Sequence, residues 1–219
     1  MSPMIDHPSA EDFRDTPYGR QLHSGFRLLR FKSELEREFR QYLDRHARTS
    51  QRLAALLLII AVSGYLYVEH RLFSLADTGW LATLTLLRIL QILPGVVVLV
   101  LTFYSRTFRA QANRIFPVLL VLIGIIAALI DIRFEALGTE LNFRYGAGLL
   151  IVSSFFFLGV TFWWALLCAV LIVVADVLIA GLILTPEQMP EHWIAVSYYL
   201  LLLIIGAISR YVHEYSQRD

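Results

Sequence analysis

A single cysteine, Cys168, sits in the middle of an apolar run of this 219-residue chain, so no intrachain disulfide framework can hold the fold. There is no phosphate-cradling glycine loop, no nucleophile elbow, no His-Glu-x-x-His zinc motif and no pair of catalytic carboxylates in the segments expected on the cytoplasmic side. These absences leave no catalytic residue to assign, and the chain as given is not read as an enzyme. Histidines are few and scattered, with no His-x-x-His or cysteine-rich spacing, so neither a metal nor a haem cofactor is expected. A net charge of +1 provides no basic surface for nucleic acid.

Charge is also missing over long stretches. Between Trp80 and Tyr104 the only formal charge is Arg88, and between Ile115 and Ile130 there is none. Each stretch reaches the ~20 apolar residues that cross a bilayer. With 57% hydrophobic residues overall, the chain reads as an integral membrane protein.

In order, the apolar runs are about Gln51 to Val68, Trp80 to Tyr104, Ile115 to Ile132, Tyr145 to Leu158, Phe162 to Leu184 and Trp193 to Tyr211. The expected fold is therefore all-α, a six-helix membrane bundle occupying residues 51–211. The fourth run is short, and Leu158, Gly159, Val160 and Thr161 barely separate it from the fifth.

Orientation follows from lysine and arginine, which are retained on the cytoplasmic side of short loops. Ten lie up to Arg52, three (Arg106, Arg109 and Arg114) lie in the segment from Ser105 to Arg114, and Arg210 and Arg218 close the chain. The opposite side holds only Arg71, Arg133 and Arg144. Both termini are thus expected in the cytoplasm, with Trp80 and Trp193 as anchors at the outer interface. The outer connections, about Glu69 to Gly79, Arg133 to Arg144 and Thr185 to His192, are too short to fold alone. Anything recognised on that side must bind within the bundle or at its rim.

Residues 1–25 are polar, carry Pro3, Pro8 and Pro17, and read as a disordered cytoplasmic segment without a cleaved signal. Residues 26–50 read as an amphipathic interfacial helix. Ser33 and Glu36 have capping-box spacing, and Leu35, Phe39, Tyr42, Leu43 and His46 share a face opposite Glu34, Arg37, Glu38, Arg40, Asp44, Arg45 and Arg48.

Ionisable groups inside the apolar runs are the candidate site, because such groups are costly against lipid and face a partner or a cavity. Arg88 lies ~12 Å below Trp80, and Asp176 lies at a similar depth of ~12 Å before Leu184, with Asp131 nearer the surface. Two readings stand. Arg88 pairs with Asp176 or Asp131 and only holds helices together; or it is the donor fork of an outward pocket for a carboxylate, phosphate or hydroxyl, rimmed by Glu69, His70, Glu135 and His192. A carboxylate saturated by Arg88 favours the first. Pro94 kinks its helix, while Pro117 either kinks its helix or occupies the first turn.

Several segments carry a resemblance. Leu28, Leu29, Arg30 and Phe31 precede Leu35, Glu36 and Phe39; Leu87, Arg88 and Pro94 precede Phe108, Arg109 and Gly124; Tyr211, Glu214, Tyr215, Ser216 and Arg218 close the chain. Together they resemble the six-helix membrane domain found ahead of GGDEF diguanylate cyclase domains and, in relatives, class III adenylate cyclase domains of bacterial signalling proteins. The resemblance covers about residues 26–219, with Arg88 and Pro94 its best matches. It implies a sensor in the bacterial inner membrane that binds a small amphiphilic or lipid-like ligand. It also implies a homodimer, since both cyclase classes build active sites between two domains.

The output would pass along the last helix, with Arg210, Glu214 and Arg218 as relay residues. The Gly-Gly-Asp-Glu-Phe loop is absent, and residues 212–219 continue at helical spacing without a stop, so the expectation is a chain cut short before its effector. A small transporter, with Arg88 and Asp176 at corresponding places in inverted halves, is the competing reading. A membrane-embedded enzyme acting on lipid lacks any motif.

Overall fold

Apolar residues cover almost every face of the helices in the computed structural model, which describes residues 33–73, 78–104, 106–136, 146–156 and 160–218. All regular structure in these residues is helical. Six helices run in order: α1 (Ser33–Phe73), α2 (Thr78–Tyr104), α3 (Arg106–Ala136), α4 (Gly146–Phe156), α5 (Phe162–Ile183) and α6 (Met189–Arg218).

Five of them contain stretches long and apolar enough to cross a bilayer, and α4 is a shorter apolar helix of 11 residues. Outward-facing side chains such as Ile60, Leu178, Leu182 and Ile194 are more than 60% exposed. Water would penalise such a surface, and hydrocarbon would not. The chain is a multi-pass, all-α membrane protein.

Two boundaries differ from the sequence reading. The amphipathic segment and the first apolar run form one unbroken helix, α1, instead of an interfacial helix ending near residue 50. No glycine or proline lies between Ser33 and Ser63, so the backbone ladder continues across the junction while the residue pattern changes from amphipathic to apolar. Where side chains are described, the amphipathic face is as read: Leu35 and Phe39 are buried, Arg37 and Glu38 exposed.

The ten-residue basic hairpin is likewise mostly helix. α3 starts at Arg106, which places Pro117 in its interior and not its first turn. The expectations for residues 1–32, for most of the connection 133–144, and for the side chains of Arg106, Arg109, Arg114 and Arg218 lie outside what is described.

α3 is the central helix. Buried residues make up 56% of its span, against 17% for the span of α1. It lies along α5 in the same direction, since Cys168 Sγ donates to the Pro117 carbonyl at 3.6 Å and Gly124 faces Ile172 one to two turns further along both.

Two parallel helices require the chain to return between them, and α4 lies in that return. Its first turn meets Asp131 near the end of α3, and Phe155 in its last turn packs on Gly206, where a Cβ would overlap the ring. α4, α5 and α6 pack on one another, and α3 joins them through α4 and α5. α1 packs on α2, and α2 on α3. The α1–α2 pair therefore leans on a four-helix core along one seam and leaves a gap between α1 and α3.

Candidate functional site

The gap is an apolar cleft of about 280 Å³ enclosed by α1, α2, α3 and α4. Small residues open it: Ala54, Ala55 and Ala61 on α1, Gly95 on α2 and Gly146 on α4. Most of the rest is leucine, valine, isoleucine and phenylalanine, with Pro94, Ala127 and Ser153 among them. Leu57 and Leu149, half exposed at the flanks, frame a mouth toward lipid. Polar groups gather at one end, where Tyr65, Arg88 and Gln91 face in.

That end is built on an ion pair between α1 and α2. Arg88 Nε lies 3.1 Å from both Glu69 oxygens, and Nη2 donates to the same carboxylate. Arg88 Nη1 donates to Gln91 Oε1 at 2.9 Å, and Gln91 Nε2 reaches the Ile123 carbonyl of α3 at 3.4 Å. The Tyr65 ring lies under the guanidinium, 5.2 Å from Cζ to centroid, within cation–π range. Glu69 is 0% and Arg88 4% exposed, so both charges are withdrawn from water and balance each other.

Arg88 thus pairs with neither Asp131 nor Asp176 but saturates the Glu69 carboxylate, which favours the helix-holding reading of the arginine with a different partner from the two expected. Depth counted along each helix places Arg88 and Asp176 in one layer with Asp131 nearer the surface, but it leaves out which way each side chain turns. Asp131 instead accepts from the Ala147 amide at 3.2 Å and caps the first turn of α4, where the helix dipole favours a negative charge. A Cβ on Gly146 would stand 3.2 and 3.3 Å from the two Asp131 oxygens, so glycine there leaves the carboxylate room to reach the helix end.

Asp176 belongs to a second buried cluster across the core. His192 of α6 stands between two carboxylates, with Nδ1 3.1 Å from Glu135 Oε2 on α3 and Nε2 3.1 Å from Asp176 Oδ2 on α5. The three side chains tie α3, α5 and α6 together at the end that carries Trp80 and Trp193. Glu69, Glu135 and His192, read from sequence as rim residues, are drawn into the bundle; His70 alone stays exposed, its Nε2 3.0 Å from Thr85 Oγ1. Among the described residues no group of histidine, cysteine, aspartate and glutamate could hold a metal ion.

At the opposite end, Arg210 and Glu214 of α6 are buried and turned toward the start of α5. Arg210 donates to the Val160 carbonyl, and Glu214 accepts from the Phe162 amide, capping α5 where Thr161 makes no side-chain cap bond. Tyr211 meets Phe162 edge to face at 5.7 Å. On the α1–α2 pair, Arg52 of α1 donates to the Thr102 carbonyl and lies 4.1 Å over the Phe103 ring.

Gln91 and Tyr65 escaped the sequence reading. Gln91 carried a usable signal, a second polar side chain three residues after Arg88 in an apolar run, on the same helical face. The cleft itself had only the weak signal of small residues on the inner faces of α1 and α2.

The sequence matches no family model and no curated protein. Fold and site therefore define a class: a multi-pass α-helical membrane protein with a lateral apolar cleft whose polar end is a neutralised ion pair.

Proposed function

We propose that this chain is the membrane sensor module of a bacterial signalling protein. An amphiphilic or lipid-like ligand in the cleft would bias the packing of α1 and α2 on the core, and α6 would carry the change to a cytoplasmic effector, a diguanylate cyclase before an adenylate cyclase. In this reading the protein is a homodimer of the bacterial inner membrane with six crossings, α4 included, and both termini in the cytoplasm. The parallel run of α3 and α5 supports the sixth crossing, since the chain between them returns through α4.

The observation that carries the reading is the cleft, an apolar space with a polar end, walled by α1, α2, α3 and α4. The clamp of Arg210 and Glu214 on the start of α5 supports a coupling role, because it fixes the rotation of α6 against the bundle just before the helix leaves it. At 30 residues, α6 is ~45 Å long and exceeds the ~30 Å hydrocarbon core. The transporter reading fits less well. Inverted repeats require two similarly packed halves, and here α4, α5 and α6 pack mutually while α1 and α3 stand apart across the cleft.

A diguanylate cyclase domain fused after Asp219 tests the relay. Inserting one to four alanines after Gln217 turns the effector by about 100° per residue about the helix axis. Cyclic di-GMP output is expected to fall severalfold with one or two added residues and to recover with four, close to a full turn. Output independent of insertion length would contradict transmission through α6.

A further inference from the structure

We infer that the cleft takes an uncharged single-chain amphiphile, with a hydroxyl, ketone or ester head at Arg88 and Gln91, and excludes anionic heads. This rests on the reading of the cleft as a ligand site and names what that site selects. The sequence left carboxylate, phosphate and hydroxyl heads open at the arginine fork, and the ion pair narrows them to the uncharged one.

The charge balance at the polar end decides the matter. The one guanidinium facing the cleft is already matched by Glu69, fully buried and bonded through Nε and Nη2. A carboxylate or phosphate entering beside it would place a second anion against one shared cation in a low dielectric, where the repulsion is little screened. A neutral head meets no such barrier.

Hydrogen-bond capacity sets the polarity of the head. Arginine has five N–H groups, and those bonded to Glu69 and Gln91 leave donors over on the two terminal nitrogens. Gln91 Oε1 is taken by Arg88, while its amide nitrogen holds the Ile123 carbonyl only at 3.4 Å. Arg88, Glu69 and Gln91 together therefore offer donors without net charge, and the Asp131 carboxyl behind cleft-lining Gly146 adds no cation, which suits an uncharged acceptor oxygen.

Volume and access set the tail. At the ~30 Å³ that one water occupies in the liquid, about 280 Å³ holds on the order of ten methylene-sized groups, enough for one medium chain. The mouth between Leu57 and Leu149 lies on the lipid-facing surface, so the chain enters sideways from the bilayer.

The test uses the full chain in phosphatidylcholine nanodiscs, with empty nanodiscs subtracted. Radiolabelled 1-decanol, ionised decanoate and decyl phosphate share one tail and differ in head. Saturable binding of 1-decanol at one site per chain is expected, with both anions at least about tenfold weaker. Glu69→Gln, which leaves the Arg88 charge unmatched, is expected to shift the preference toward decanoate by at least about tenfold. Ala61→Trp fills the cleft without touching the ion pair and is expected to abolish 1-decanol binding.

Anions binding as tightly as 1-decanol to the unaltered chain, no saturable binding of any probe, or binding unchanged by Ala61→Trp would each overturn the inference. No effector enters these measurements. Selective binding combined with a fused cyclase indifferent to helix phase would sink the relay and leave the ligand class standing.

Discussion

Arg88→Leu is expected to destabilise the purified chain by about 3–5 kcal/mol, because it strands the Glu69 carboxylate at a fully buried position between α1 and α2. The loss belongs to the unpaired charge more than to the pair. Arg88→Leu combined with Glu69→Leu is therefore expected to recover most of it, since replacing both members of a buried pair with apolar side chains is often neutral or stabilising. Thermal melting of the two single variants and the double variant forms the cycle. Additive losses with no coupling to Glu69, or rescue by Asp176→Asn or Asp131→Asn instead, would contradict the pairing seen here. Gln91, donating to the Ile123 carbonyl of α3, extends the same network across the seam on which the α1–α2 pair leans.

The second large effect is expected at His192. It stands between Glu135 and Asp176, and His192→Leu removes the imidazole that both carboxylates share inside the core. A loss on the order of 3–5 kcal/mol is expected, restored in large part by adding Asp176→Asn and Glu135→Gln. His70→Leu is the control, exposed and touching only the Thr85 hydroxyl among the contacts described above, with an expected change within about 0.5 kcal/mol. Equal losses at the two histidines would show that the cluster of α3, α5 and α6 contributes nothing beyond an ordinary contact.

Those two histidines show where sequence reasoning reaches its limit. Both lie near helix ends next to acidic residues, and apolar periodicity assigns them the same place. Their difference is rotational: His192 turns inward between α3 and α5, while His70 follows the buried Glu69 by one position and so points about 100° away. Helices long enough to span were legible, because the absence of charge from runs such as 115–130 is a one-dimensional signal.

Partners were not legible from the same signal. Depth put Arg88 and Asp176 in one layer, yet α3 stands between the two clusters and each acid found a nearer donor. Asp131 was read as a candidate site carboxylate because nothing local announces that the next helix will begin under it; only Gly146, fifteen positions downstream at the start of α4, hints at the close approach. The continuous α1 was missed for a related reason. A change from amphipathic to apolar pattern looks like a boundary, although the backbone needs a breaker to end a helix and none is present.

The proposed account stands most directly on the number of crossings, since a relay to a nucleotide cyclase needs the end of α6 in the cytoplasm. With α4 as a sixth crossing both termini share a side, and with five crossings they do not. Protease-cleavable tags before Met1 and after Asp219, digested in inside-out and right-side-out membrane vesicles, read this out. The account predicts both tags cut in inside-out vesicles and both protected in right-side-out ones; one tag cut in each orientation would put the end of α6 outside the cytoplasm and contradict it.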